Sequence, residues 1–347
     1  MKTMKTMFST TAFCALTFGT AAMAQEITFV SQGGAYQEAQ TKAILEPASE
    51  LTGITVRQDS SPDAWPQVRT QIETGAPIWD VIDTPTKDCI RGGEQGMIEP
   101  LDLSVMPSVA AMPEDLRNEY SVAYEFYSSV LAHSTEAFEE GEAPQSWADF
   151  WDVEKFPGMR ALRNHPLATL EAALMADGVA PADLYPLDVD RAYAKLEEIK
   201  PHIAVWWTSG AQSAQLLADG EVDMTMAWNG RVSAVMEEGA PVDFTYNQGI
   251  LQYTSLCVLK GAPNLSDAMK FIEAAMSPEI QANFPSYIDY GPGNPAAYDT
   301  GKISAERAAE LPNSPENASL QVLNSAAWWS SPEGEAAQER WASFVQQ

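Results

Sequence analysis

Residues 206–231, WWTSGAQSAQLLADGEVDMTMAWNGR, decide the reading of the fold. Trp206 and Trp207 close an apolar run that begins at Ile203. Thr208 and Ser209 follow, and both residue types cap a helix by accepting a backbone N–H. Gln212 to Ala218 reads as that helix, with Leu216 and Leu217 on its buried side. Asp219-Gly220 ends it, because glycine tolerates the left-handed position after a helix. Val222 to Ala227 then reads as a buried strand running into Trp228-Asn229-Gly230. Aromatic strand ends beside a helix N-terminus are how an open α/β sheet builds a small-molecule site outside its strand ends.

The N-terminal half repeats the alternation. Glu26 to Val30 is a strand, and Ser31-Gln32-Gly33-Gly34-Ala35-Tyr36 turns into a helix expected over Gln37 to Thr52, bent or ended early by Pro47. Ile54 to Val56 completes a βαβ unit. Gly33 and Gly34 let the backbone approach a ligand, and Tyr36 projects from the helix start. The G-x-G-x-x-G dinucleotide fingerprint is absent. Further on, Asp63 to Thr74 reads as helix, Trp79 to Asp83 as strand and Asp88 to Gln95 as helix. Val122 to Ala132 crosses into a second lobe, Gln252 to Leu259 returns, and Val242 to Tyr246 forms a separate strand before it.

The chain of 347 residues opens with Lys2, Lys5, an apolar core from Met7 to Ala22 and the small-residue pattern Ala22-Met23-Ala24. This is a secretory leader with cleavage expected after Ala24, its core being too short to span a bilayer. Export to the periplasm as a soluble protein follows, with no membrane insertion. Formal net charge is −28, which repels nucleic acid and anionic lipid. After the leader two cysteines remain, Cys89 and Cys257. Export permits a bridge, and the spacing leaves open both a bridge and two buried thiols. His133, His165 and His202 share no ligand spacing, so no metal or other cofactor is expected.

Five segments in one order carry a family resemblance: the first strand with its aromatic helix start, WDVID (79–83) with EQGMIEPLD (94–102), SWADFWD (146–152), DGEVDMTMAWNGR (219–231) and YIDYGPGNPAAY (287–298). The mature chain resembles the substrate-binding proteins of ABC importers, in particular the spermidine/putrescine type. The resemblance implies two α/β lobes of the type II-like periplasmic-binding-protein fold, joined by crossing strands and closing over a ligand by hinge motion. It divides the chain into a leader (1–24), one lobe (25–130 with 251–300) and a second lobe (131–250 with 301–347). It implies delivery to the membrane subunits of an ABC permease by a monomer. It also places Tyr36, Trp228 and Tyr290 around the ligand.

Departures from that pattern bear on the ligand. Polyamine binders have an aromatic and an aspartate on the returning strand where this chain has Gln252 and Thr254, with Tyr253 between. After the strand that follows SWADFWD, acids give way to Arg163-Asn164-His165. Separated ammonium groups need carboxylates, since an unpaired buried cation is costly. Tyr36, Trp228, Tyr253 and Tyr290 make an aromatic box suited to one ammonium. Thr208, Ser209 and the following N–H groups suit an anion, and Arg163 suits a bidentate grip on a carboxylate. Trp207, Gly34 and Thr254 complete the expected contacts. Arg231 suits the same carboxylate grip as Arg163, the favoured reading pairing it instead with an exposed acid such as Glu237. The ligand expected is thus a polyamine or a zwitterion such as γ-aminobutyrate. The alternatives are a ferric-ion or other small-molecule binder of this fold, or a secreted enzyme. Tyr287 and Tyr290 lack the adjacency an iron site wants, and no G-x-S-x-G, H-E-x-x-H or phosphate loop occurs.

Overall fold

The computed structural model describes residues 25–138 and 141–346. The leader lies outside the described residues. Eleven strands form one twisted sheet. They are β1 (Glu26–Ser31), β2 (Thr55–Ser60), β3 (Val81–Pro85), β4 (Ile98–Glu99), β5 (Val122–Ser134), β6 (Arg160–Arg163), β7 (Ile203–Trp207), β8 (Met224–Trp228), β9 (Val242–Leu259), β10 (Gly291–Pro292) and β11 (Val322–Leu323). The main order is β2-β1-β3-β9-β5-β8-β6-β7. Each end of the sheet is parallel: β1 with β2 and β3, and β6 with β7 and β8. The centre is antiparallel, through β3, β9, β5 and β8.

The two parallel ends are two lobes, and β5 and β9 run through both. β9 pairs its Ile250–Leu256 half with Val122–Ser129 and its Val242–Thr245 half with Leu131–Ser134. An irregularity between Ser129 and Leu131 separates the halves and bends the pair where the lobes meet. The two strands expected over 242–246 and 252–259 are therefore one continuous strand. Every residue of β5 is buried, as expected of a strand covered on both faces.

Helices cover the sheet. The helix expected over 37–52, with a bend or early end at Pro47, begins at 34 and is three pieces: Gly34–Gln40, a π-helical turn Thr41–Leu45, and Glu46–Thr52, which Pro47 opens at its first turn. The wider turn relieves the backbone ahead of a residue that cannot donate. Phe29 of β1 packs edge-on against Tyr124 of β5 and Phe271 of the helix Leu265–Ala275. Cys89 and Cys257 are bridged, with Cα atoms 6.1 Å apart, which joins the helix Thr86–Glu94 to β9. The C-terminal helix Pro332–Gln346 lies against Trp206, whose ring is 5.7 Å from that of Trp341. Trp341 Nε1 donates to Asn164 (2.9 Å) and Tyr193 donates to the Ala337 carbonyl (2.7 Å). Trp329 Nε1 donates to the buried Glu171 (2.7 Å), so the Trp328-Trp329 pair anchors the C-terminal segment. Among the described residues no helix is long and apolar enough to cross a membrane.

Candidate functional site

The parallel strands of both lobes end at one cleft. β1 and β3 deliver Ser31 and Asp83 from one side, while β6, β7 and β8 deliver Arg163, Trp207 and Trp228 from the other. A cavity of about 240 Å³ lies between them. Its walls include Trp207, Thr208, Trp228 and Arg163 from one lobe, and Asp63 and Asp83 from the other. Opposed strand ends of this kind are the usual small-molecule position in α/β sheets.

Arg163 is the centre of one wall. Its guanidinium carbon lies 5.2 Å from the Trp228 ring and 6.0 Å from the Trp207 ring. Trp207 is buried, and its Nε1 donates to the Met226 carbonyl (2.9 Å), which holds the ring edge-on to Trp228. Arg163 makes no ion pair or side-chain hydrogen bond among the described residues. Burial pushes its pKa down, opposed by Tyr127, Asp63 and Asp88. Beside it, His165 Nδ1 accepts from Leu167 N (3.1 Å) and caps the helix Pro166–Ala176. Burial, then the Arg163 and Lys87 charges, hold its imidazole well below the usual histidine range. The ring is neutral at physiological pH, so the cationic charge on this wall belongs to Arg163.

The opposite wall is acidic. Asp83 Oδ2 accepts from Tyr36 Oη (2.5 Å), Gln40 Nε2 (2.9 Å) and Ser31 Oγ (3.1 Å). Asp83 Oδ1 is buried without a partner. Asp63 is exposed at the rim, where its carboxylate accepts from Trp65 N (3.2 Å). Asp88 is taken up by Lys87 (2.8 Å) and Arg91 (3.4 Å).

Behind the cavity is a smaller chamber of about 10 Å³, sharing Gln32, Tyr127 and Trp228 with it. Tyr36, Tyr290 and Tyr127 cluster there, with ring centroids 5.7–5.8 Å apart in successive pairs. Trp228 stands edge-on to Tyr127 at 5.8 Å. Burial pushes the hydroxyl pKa of all three tyrosines up, so they remain neutral donors. Glu125 of β5 and Thr254 of β9 form its floor, the hydroxyl standing 3.5 Å from the carboxylate.

The structure thus brings together Tyr36, Trp228, Tyr290, Trp207, Thr208, Arg163 and Thr254. It separates Tyr253, which packs on Phe126 at 5.3 Å and reaches toward the Asp115 carbonyl. Strand alternation is the reason: Thr254 faces the chamber, so Tyr253 faces away. Ser209 serves the protein rather than a ligand, since its Oγ accepts from Gln212 N (3.3 Å). Gln212 Oε1 in turn accepts from Thr208 N (2.9 Å), and the Trp228 ring covers Gly210. The expected anion position at this helix start is therefore largely filled from within. Gly34 is approached by Arg231, not by the cavity: a Cβ there would stand 2.9 Å from Nη1. Arg231 is likewise not paired with Glu237. It is buried, and its Nη2 donates to the Gly33 carbonyl across the cleft (3.1 Å).

Sequence reasoning missed Tyr127, Asp63, Asp83 and Glu125. Glu125 had a legible signal, as the one acid in the run VAYEFYSSVLA (122–132). Asp83 had one too, as an acid closing a strand of a parallel sheet.

Residues 33–313 match the family model for bacterial extracellular solute-binding proteins. The γ-aminobutyric acid-binding protein of Pseudomonas aeruginosa is 35% identical over 345 residues, 97% of this chain and 96% of that protein. The spermidine/putrescine-binding periplasmic protein of Escherichia coli is 26% identical over 266 residues, 73% and 74% of the two chains. The crystal structure of an ABC transporter substrate-binding protein from Bradyrhizobium japonicum is 70% identical and superposes with a TM-score of 0.89, covering 92% of this chain and 99% of that one. A two-lobed α/β sheet crossed by two shared strands, a cleft at the strand ends and a family match over most of its length place this chain among the bacterial extracellular solute-binding proteins.

Proposed function

We propose that the protein captures a small zwitterion with one amine and one carboxylate, of the γ-aminobutyrate kind. It works in the periplasm as an exported monomer and hands its ligand to the membrane subunits of an ABC importer. The lobes divide as the family pattern implies, near 130 and 250, where β5 and β9 cross. One observation carries the ligand reading: Arg163 faces the cavity without a carboxylate partner among the described residues, opposite the acids Asp63 and Asp83. A guanidinium held by two rings grips a carboxylate bidentately, and the opposing acids suit an ammonium. A pure polyamine placed here would meet a like charge, which costs affinity. The relative from Pseudomonas aeruginosa, similar over nearly the whole chain, bears a name that agrees.

Polyamine binding is the second reading, favoured by the more distant Escherichia coli relative and by two buried acids, Asp83 at the cavity and Glu125 in the chamber. Calorimetry with γ-aminobutyrate, putrescine and spermidine separates the two. Saturable binding of γ-aminobutyrate and weak or no binding of spermidine is expected. Tight spermidine binding with no response to γ-aminobutyrate would sink the zwitterion reading.

A further inference from the structure

The chamber behind the cavity has the chemistry of a cation site. Tyr36 and Tyr290 present rings, Glu125 presents a buried carboxylate whose Oε2 has no partner, and Asp83, on the wall of the adjoining cavity, accepts from the Tyr36 hydroxyl. Aromatic faces with nearby carboxylates are what an ammonium requires. The protein fills that role itself. Arg231, from the first turn of the helix Asn229–Glu237, crosses from the opposite lobe and ends 5.6 Å from the Tyr36 ring. It is 4% exposed, makes no direct ion pair among the described residues, and leaves its Nε without a partner. Its field still acts on Glu125, lowering that carboxyl against the upward push of burial and Asp83. With the guanidinium in place, the room left is about 10 Å³, near that of a single water-sized probe.

We propose that Arg231 is a specificity-determining residue: its guanidinium supplies from within the cation that the chamber floored by Glu125 would otherwise draw from the ligand. A second ammonium is excluded by volume and by like charge, and one-amine ligands are favoured. Discrimination by a built-in repulsive element is a general route to specificity. The inference rests on the zwitterion reading above and adds the reason a diamine is rejected. Gly33 and Gly34 fit the same account. Their φ values of +74° and +62° suit glycine, and a side chain at 34 would collide with the guanidinium.

The test uses the mature protein and calorimetry with putrescine and γ-aminobutyrate. Arg231→Met keeps much of the side-chain volume and removes the charge. It is expected to bind putrescine at least tenfold more tightly than the wild type does. Arg231→Lys keeps a cation and should remain blind to putrescine. The double variant Arg231→Met with Glu125→Gln should lose the gain. As a second measurement, Arg231→Ala should be thermally stabilised by guanidinium relative to the wild type, and not by neutral urea. A folded Arg231→Met protein no better for putrescine, an Arg231→Lys protein that gains it, or equal effects of guanidinium on Arg231→Ala and wild type would each overturn the assignment. Wild-type protein that ignores γ-aminobutyrate fails the zwitterion reading instead, so the two failures are distinct.

Discussion

At the scale of single residues, charges held apart on two walls organise the site. Arg163 lies beside the rings of Trp228 and Trp207, with no acid paired to it among the described residues. Truncating one partner of a buried charged pair costs about 2–5 kcal/mol, or roughly 30-fold or more in affinity. Arg163→Ala is therefore expected to weaken γ-aminobutyrate binding by at least that factor while circular dichroism stays unchanged. Arg163→Lys should recover only part of the loss, since an ammonium cannot reproduce the planar fork. A titration unaffected by Arg163→Ala would remove the carboxylate from this wall. Glu125 makes the second prediction. Burial first, then the Asp83 charge, hold its carboxyl well above the usual range. A carboxyl whose folded pKa is raised gives its full stabilising contribution below the unfolded value of about 4.3. That contribution is lost as pH rises through the folded value. Glu125→Gln cannot ionise, so its melting temperature relative to wild type should climb between pH 4 and pH 8. Each kcal/mol is worth about 2–4 °C in a chain of this order of size. A difference that stays constant across the range would contradict the buried ionisation.

At the scale of elements, the strand ends were readable and the faces were not. Trp207 and Trp228 sit where apolar runs meet polar turns, so sequence placed them at the cleft. β5 is buried on both faces, so alternation gave no inside or outside, and Tyr127 and Glu125 passed unassigned. On β9 the alternation was readable, but not its phase. Once Thr254 faces the chamber, Tyr253 must leave it. The helix start at Ser209 was read correctly as a cap, and that correct reading is why it has little left for a ligand. Arg231 was misread because sequence gives its neighbours along the helix and not the opposite lobe. The disulfide belongs to this scale as well. It fastens the helix Thr86–Glu94, whose first residues Thr86 and Lys87 reach β9 and the cavity, to the strand that carries Thr254. Spacing could not decide the pairing, because a separation of 168 residues is brought together only by β3 and β9 lying side by side. A bridge closing so long a loop constrains the unfolded chain strongly. Replacing both cysteines by serine should lower unfolding free energy by about 2–5 kcal/mol. Guanidinium denaturation monitored by fluorescence reads this as a lower midpoint, and an unchanged midpoint would deny the bridge a structural role.

At the scale of the molecule, side-chain links reach from one lobe to the other. Arg231 reaches Gly33, and the C-terminal helix reaches the helix Thr86–Glu94 through Lys87 with Gln338 (3.1 Å) and Arg91 with Glu335 (3.2 Å). β5 and β9 form the continuous connection, bent at the irregularity beside Ser129. A ligand that pairs Arg163 on one wall with acids on the other adds a crossing link, so its binding and the closing of the lobes are one equilibrium. A ligand at a hundred times its dissociation constant stabilises the form it binds by about 2.7 kcal/mol. Saturating γ-aminobutyrate is thus expected to raise the melting temperature, and small-angle scattering should show a smaller radius of gyration than in ligand-free protein. Arg163→Ala should show neither change at ligand concentrations that saturate the wild type, because it lacks the link on one wall. If wild-type scattering were identical with and without bound ligand, capture would proceed in a preformed cleft, and the bend in β5 and β9 would be architecture rather than a hinge.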